Sequence, residues 1–100
     1  MTRLRVAPQA AQHLRTIIAW WREHRPAAPQ LFAVEVADAL ELLVATPTLG
    51  VQYMVRGGRP IRRLLLPRSR YHVYFTYDER DDLLDIRAVW HASRGDGPRL

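Results

Sequence analysis

Ile61-Arg62-Arg63-Leu64-Leu65-Leu66-Pro67-Arg68-Ser69-Arg70-Tyr71-His72-Val73-Tyr74-Phe75-Thr76-Tyr77 is the stretch that decides the architecture. Apolar and aromatic residues fill both ends, and Pro67-Arg68-Ser69-Arg70 turns the chain between them. From Tyr71 the period is two, with Tyr71, Val73, Phe75 and Tyr77 on one side and His72, Tyr74 and Thr76 on the other. Residues 61–66 and 71–77 therefore read as paired strands. Asp78-Glu79-Arg80-Asp81-Asp82 is a solvated turn. After it Leu84, Ile86, Ala88 and Trp90 alternate with Asp85, Arg87, Val89 and His91, which predicts a third strand over 83–91. Three consecutive strands with short links make an antiparallel meander.

Before Gly57-Gly58, a loop or hairpin pair, the period is helical. Ala10, Leu14, Ile17, Ile18 and Trp21 share one face of a helix over 9–24, which Arg25-Pro26-Ala27-Ala28-Pro29 breaks. A second helix over 29–46, with Pro29 at its first position, lines up Phe32, Val36, Ala39, Leu40 and Leu43. It stops before Pro47-Thr48-Leu49-Gly50. Two amphipathic helices on so short a link form an antiparallel hairpin. Thr2 to Val6, with Arg3 and Arg5, suits an edge strand. The expected fold class is α+β: a two-layer β-α-α-β-β-β order in which the hairpin covers one face of an antiparallel sheet.

The chain of 100 residues suits one domain over 1–100. A hydrophobic fraction of 48% against 25% charged residues excludes the disordered class. Cysteine is absent, so disulfides and thiolate metal sites are excluded and a reducing cytoplasm is the expected location. The first residues lack the apolar run of a signal peptide, and no apolar stretch of about 18 residues is present to span a membrane. The net charge is +5, and every basic residue is arginine. Arg56, Arg59, Arg62, Arg63, Arg68 and Arg70 follow one another with no acid between them, which favours an anionic partner.

Strand parity places Val73, Phe75, Leu84, Ile86, Ala88 and Trp90 towards the core. The opposite, open face then carries His72, Tyr74, Thr76, Arg87 and His91, with Arg62 or Arg63 from the first strand. Such a basic, aromatic face suits an RNA or protein groove, although ordinary residues also fill the wet side of a half-buried sheet. No histidine pair has the spacing of a helical zinc site, no phosphate loop is present, and no cofactor is expected. Metal-free RNA cleavage needs a base, a proton donor and cations. His72, Tyr74, Arg63 and His91 are the candidate catalytic residues for it, with histidine titrating nearest working pH.

The runs Ile61–Leu66, Arg70-Tyr71-His72-Val73-Tyr74-Phe75 and Val89-Trp90-His91-Ala92-Ser93-Arg94-Gly95, after a helix hairpin and Pro47-Thr48-Leu49-Gly50, resemble the ParE-like branch of the RelE/ParE toxin superfamily, often called plasmid-stabilisation proteins. The resemblance implies a growth-inhibiting toxin encoded beside a cognate antitoxin that wraps it. By family analogy the cellular target is DNA gyrase; RelE-like relatives instead cut mRNA on the ribosome. RelE-like nucleases carry arginine where His72 stands and a basic residue where Leu65 stands, and the position of their last-strand arginine falls near Ala92. The resemblance therefore implies the binding branch. Arg62, Arg63, Arg70, His72, Tyr74, His91 and Arg94 are the candidate residues for holding target or antitoxin. A non-toxic regulatory module on the same fold is the third reading.

Overall fold

The computed structural model describes residues 1–100 as two helices on a five-stranded sheet. The element order is β1 (Arg3–Val6), α1 (Pro8–His24), α2 (Leu31–Ala45), β2 (Val51–Arg56), β3 (Arg59–Leu65), β4 (Tyr71–Asp78) and β5 (Leu83–His91). The sheet order is β1-β5-β4-β3-β2. The fold class is α+β, as expected, with one strand more than the sequence suggested. That strand is β2, which forms one sheet edge and pairs antiparallel with β3 across Gly57-Gly58. The sheet is also mixed rather than wholly antiparallel, because β1 pairs parallel with β5. No helix is long and apolar enough to cross a membrane.

Local chemistry accounts for the helix ends. Pro8 occupies the first turn of α1, where its missing N–H needs no partner. Arg22 and His24 sit in the last turn, complementing the helix dipole. The second helix begins at Leu31, later than the expected Pro29. Pro29 instead lies in a turn closed by a hydrogen bond from Leu31 N–H to the Ala28 carbonyl, a place its fixed φ suits.

The main core lies between the helices and the sheet. Ala10, Ile17 and Trp21 of α1 and Phe32, Val36, Ala39 and Leu43 of α2 meet Val73, Phe75, Leu84, Ile86 and Val89. Both Val73 and Phe75 are fully buried, as their parity predicts. The parity expected for the end of β5 does not hold. A bulge at Arg87 puts Tyr74 opposite Ala88 but Phe75 opposite Ile86. The extra residue turns the chain over, so Val89 faces the helices. Ala88 moves to the opposite face, where a smaller cluster gathers Ile61, Tyr74 and Ala88, and Trp90 at the strand end borders both that cluster and His13 of α1.

Candidate functional site

The expected open face is partly closed. Leu100 packs on the cluster of Ile61, Tyr74 and Ala88. Pro98 is buried. The returning tail is tied down by Gln9 Nε2 donating to the Arg99 carbonyl at 2.6 Å, and by Trp90 Nε1 donating to the Asp96 carbonyl. Tyr74 is consequently only 3% exposed.

Of the candidate residues, the sheet brings Arg63, His72 and Tyr74 together. Arg63 stands opposite Tyr74 on neighbouring strands. Its guanidinium reaches the Tyr74 hydroxyl at 3.5 Å and lies 4.8 Å from the centre of the Tyr53 ring. The rings of His72 and Tyr74 are 6.0 Å apart. Partial burial holds the His72 pKa below its ordinary value, and Arg63 and Arg70 push it further down. His72 is therefore neutral at pH 7 and can accept a proton or a hydrogen bond. Arg70 projects from the β3–β4 turn, where it takes a positive φ of 69°.

Arg62 does not join them. It pairs with Phe75 on the helix-facing side. There its Nε donates to the Leu49 carbonyl at 3.2 Å, and its terminal nitrogen to the carbonyls of Thr48 and Gly50, both at 2.8 Å. One guanidinium thus satisfies three carbonyls of the α2–β2 link. Nor is the arginine block free of acids in space. Arg59 pairs with Asp78 at 3.3 Å, and the Glu35 carboxylate accepts the backbone N–H groups of Arg68 and Ser69. Arg56, Arg63 and Arg70 carry no salt bridge.

His91 and Arg94 belong elsewhere, and the bulge is the reason. His91 stands beside Tyr71 on the helix side, with ring centres 4.9 Å apart. It helps line a cavity of about 250 Å³ between α1 and the end of β5, together with His13, Trp20, Tyr71, Trp90 and Arg94. The Arg94 guanidinium lies 3.9 Å from the Trp90 ring centre. Within the cavity His13 Nδ1 accepts the Val89 N–H at 3.1 Å, capping the edge of β5 beyond its pairing with β1. Burial, then Arg94, depress the His13 pKa, so His13 is neutral with its proton on Nε2. His91 Nδ1 accepts the Ser93 N–H at 3.1 Å, which leaves its Nε2 to donate. Sequence reading missed this hollow. The available signal was His13 and Trp20 at i and i+7 beside the apolar stripe of α1.

Residues 4–95 match the family described as the ParE toxin of type II toxin–antitoxin systems, parDE. No curated protein matches the chain in sequence. Several solved structures share its shape. A chain from the chromosomal ParDE system of P. aeruginosa superposes with a TM-score of 0.74 at 20% identity, covering 93% of this chain and 98% of that one. The isolated E. coli RelE toxin gives 0.61 at 12% identity, over 96% and 89%. A chain of the intact E. coli RelBE toxin–antitoxin complex gives 0.60 at 15% identity, over 94% and 100%. Identities this low speak to the fold alone.

Proposed function

The chain belongs to the ParE toxin family of type II toxin–antitoxin systems, and from that premise we propose that it arrests growth by binding an essential enzyme, DNA gyrase, and is neutralised by a cognate antitoxin encoded adjacently. Arg63, Arg70 and His72 are the contact surface in this reading, with the buried Tyr74 behind them and Arg94 and His91 a second patch.

The observation that favours binding over RNA cleavage is the engagement of Arg62. A cleaving site must gather cations against the charge that develops on the scissile phosphate. With Arg62 held by the carbonyls of Thr48, Leu49 and Gly50, Arg63 is the one cation in contact with Tyr74. The second reading, a ribosome-dependent mRNA endonuclease, draws on the neutral His72 beside Arg63 as a general base.

Induced expression of the chain alone arrests bacterial growth, and co-expression of the neighbouring gene relieves the arrest. Gyrase supercoiling and ribosome-dependent mRNA cleavage, assayed side by side with purified protein, separate the two toxin readings. Inhibited supercoiling with intact mRNA supports the proposal. Codon-specific cleavage with gyrase unaffected overturns it, and vigorous growth at high soluble expression removes both toxin readings.

A further inference from the structure

All three tryptophans of the protein line one groove. The cavity holding Trp20 and Trp90 adjoins a second one of about 260 Å³ that holds Trp20 and Trp21, and the two share Trp20, Tyr71 and His91. Aromatic surface is thus continuous along α1 from His13 to Arg25. That helical span is about 18 Å, the length of five or six extended residues.

Arginines stand at both ends and none in the middle. Arg94 closes the His13 end, and Arg25 and Arg68 close the other. Two of them are already set against rings, Arg94 at 3.9 Å from Trp90 and Arg25 at 4.7 Å from Trp20, so little freedom is lost when they meet an anion. No Asp or Glu lines either cavity. The nearest acid, Glu35, is engaged with the backbone of Arg68 and Ser69. At the Arg25 end the buried Trp21 indole lies beside Tyr71, and Ser69 lies beside Glu35. His13 at the other end, and His91 between the two cavities, each hold an Nε2–H free to donate. The lining offers ring faces, donors and positive charge. Its middle, by Trp20 and Tyr71, is aromatic and carries no charge, and Ile17 and Val89 add apolar surface on the His13 side.

We propose that this groove receives an extended segment of the antitoxin, with an aromatic side chain seated among Trp20, Tyr71 and His91 and acidic residues paired with Arg94 at one end and Arg25 and Arg68 at the other. The inference rests on the reading that the chain has an antitoxin partner. Charge spacing selects a peptide. A single-stranded RNA carries a phosphate at every nucleotide and would set one against the uncharged middle, whereas a peptide can place its acids at the two ends alone.

The test uses the full chain and the synthetic peptide acetyl-Glu-Asp-Ala-Phe-Ala-Asp-Glu-amide. The peptide has no tryptophan, so protein emission reads the groove directly. Saturable quenching is expected. Replacing the peptide Phe by Ala, or its acids by Gln, weakens binding at least tenfold, as do the protein changes Trp20→Ala and the pair Arg25→Gln with Arg94→Gln. These side chains are on the surface, Trp20 being 39% exposed, so the variants fold. No saturable quenching, equal affinity for the Phe-to-Ala peptide, or tighter binding of hexauridylate overturns the proposal. In cells, a Trp20→Ala, Arg25→Gln toxin is expected to arrest growth with poor relief by the antitoxin. If relief is as complete as for the parent, the groove assignment fails while the toxin reading stands. If the parent chain never arrests growth, the toxin reading fails whatever the titration shows.

Discussion

Arg62 and Arg63 are neighbours with opposite employment. Alternation alone says that they point to opposite faces. It does not say which faces the helices, because Leu64, Leu65 and Leu66 make both parities apolar. The answer lies in the pairing of Arg62 with Phe75, which turns Arg62 under the α2–β2 link. Charged hydrogen bonds there fix the backbone of Thr48, Leu49 and Gly50. Replacing Arg62 by Gln leaves those carbonyls short of donors and is expected to cost about 2–3 kcal/mol in urea unfolding. Replacing Arg63 by Gln is expected to change stability by no more than about 0.5 kcal/mol, as for other half-exposed charges. The same change weakens the antitoxin complex by roughly tenfold, read by titration calorimetry. Equal stability losses for the two would mean that Arg62 is not the loop's anchor. Gly50 completes the device. Its φ is +86°, and a Cβ there would lie 2.5 Å from the Arg63 carbonyl oxygen. Gly50→Ala therefore combines strain with a backbone clash and is expected to cost more than about 1 kcal/mol.

At the scale of elements, periodicity carried the helices and three of the strands. The helices show their stripes plainly, and β3, β4 and β5 begin and end within two residues of the expected limits. What escaped was wherever the period breaks. The pairing of β2 with β3 is irregular between Gln52 and Met54, and as an edge strand β2 exposes Val51 and Val55 and half-buries Tyr53 and Met54, so no face alternates cleanly. The bulge in β5 is hidden for a different reason. Ala88, Val89 and Trp90 are consecutive and all apolar, so a pattern shifted by one residue reads equally well. Moving His91 off the face of His72 followed from that one residue. Substitution of Val89, 2% exposed, discriminates the two registers. Val89→Asp places an unpaired carboxylate against Val73 and is expected to abolish cooperative thermal unfolding followed by circular dichroism. Without the bulge, Val89 would face outward, and the variant would melt near the parent temperature.

Across the whole molecule, charge is divided between layers: α2 carries Glu35, Asp38 and Glu41 and no basic residue, while β2 and β3 carry Arg56, Arg59, Arg62 and Arg63. This division suits the acidic partner proposed above, while individual ionisable groups in both layers shape the response to acid. Two histidines in different parts of the fold, His13 at the α1–β5 seam and His72 on the opposite face, have depressed pKa values, in each case chiefly through burial and then through arginines, Arg94 for His13 and Arg63 with Arg70 for His72. The folded chain takes up these protons at lower pH than the unfolded chain, whose histidines titrate near 6.5. Between the two values the unfolded state binds more protons, so stability is complete above about pH 6.5 and declines as the pH falls through the folded values. Glu35 is likewise depressed: its burial acts in the opposite direction, but hydrogen bonds from Ser69 and Arg68 outweigh it, so a second decline begins as the pH falls through the ordinary carboxylate value of 4.5 and continues towards the lower folded value. Urea unfolding at pH 8, 5 and 3 is expected to show both steps. Replacing His13 and His72 together by Gln retains polar side chains that do not titrate, and Gln at position 13 can still accept the Val89 N–H. The double variant is expected to lose most of the decline between pH 8 and pH 5 while keeping the one between pH 5 and pH 3. An unchanged slope between pH 8 and pH 5 would place the acid sensitivity outside these two sites.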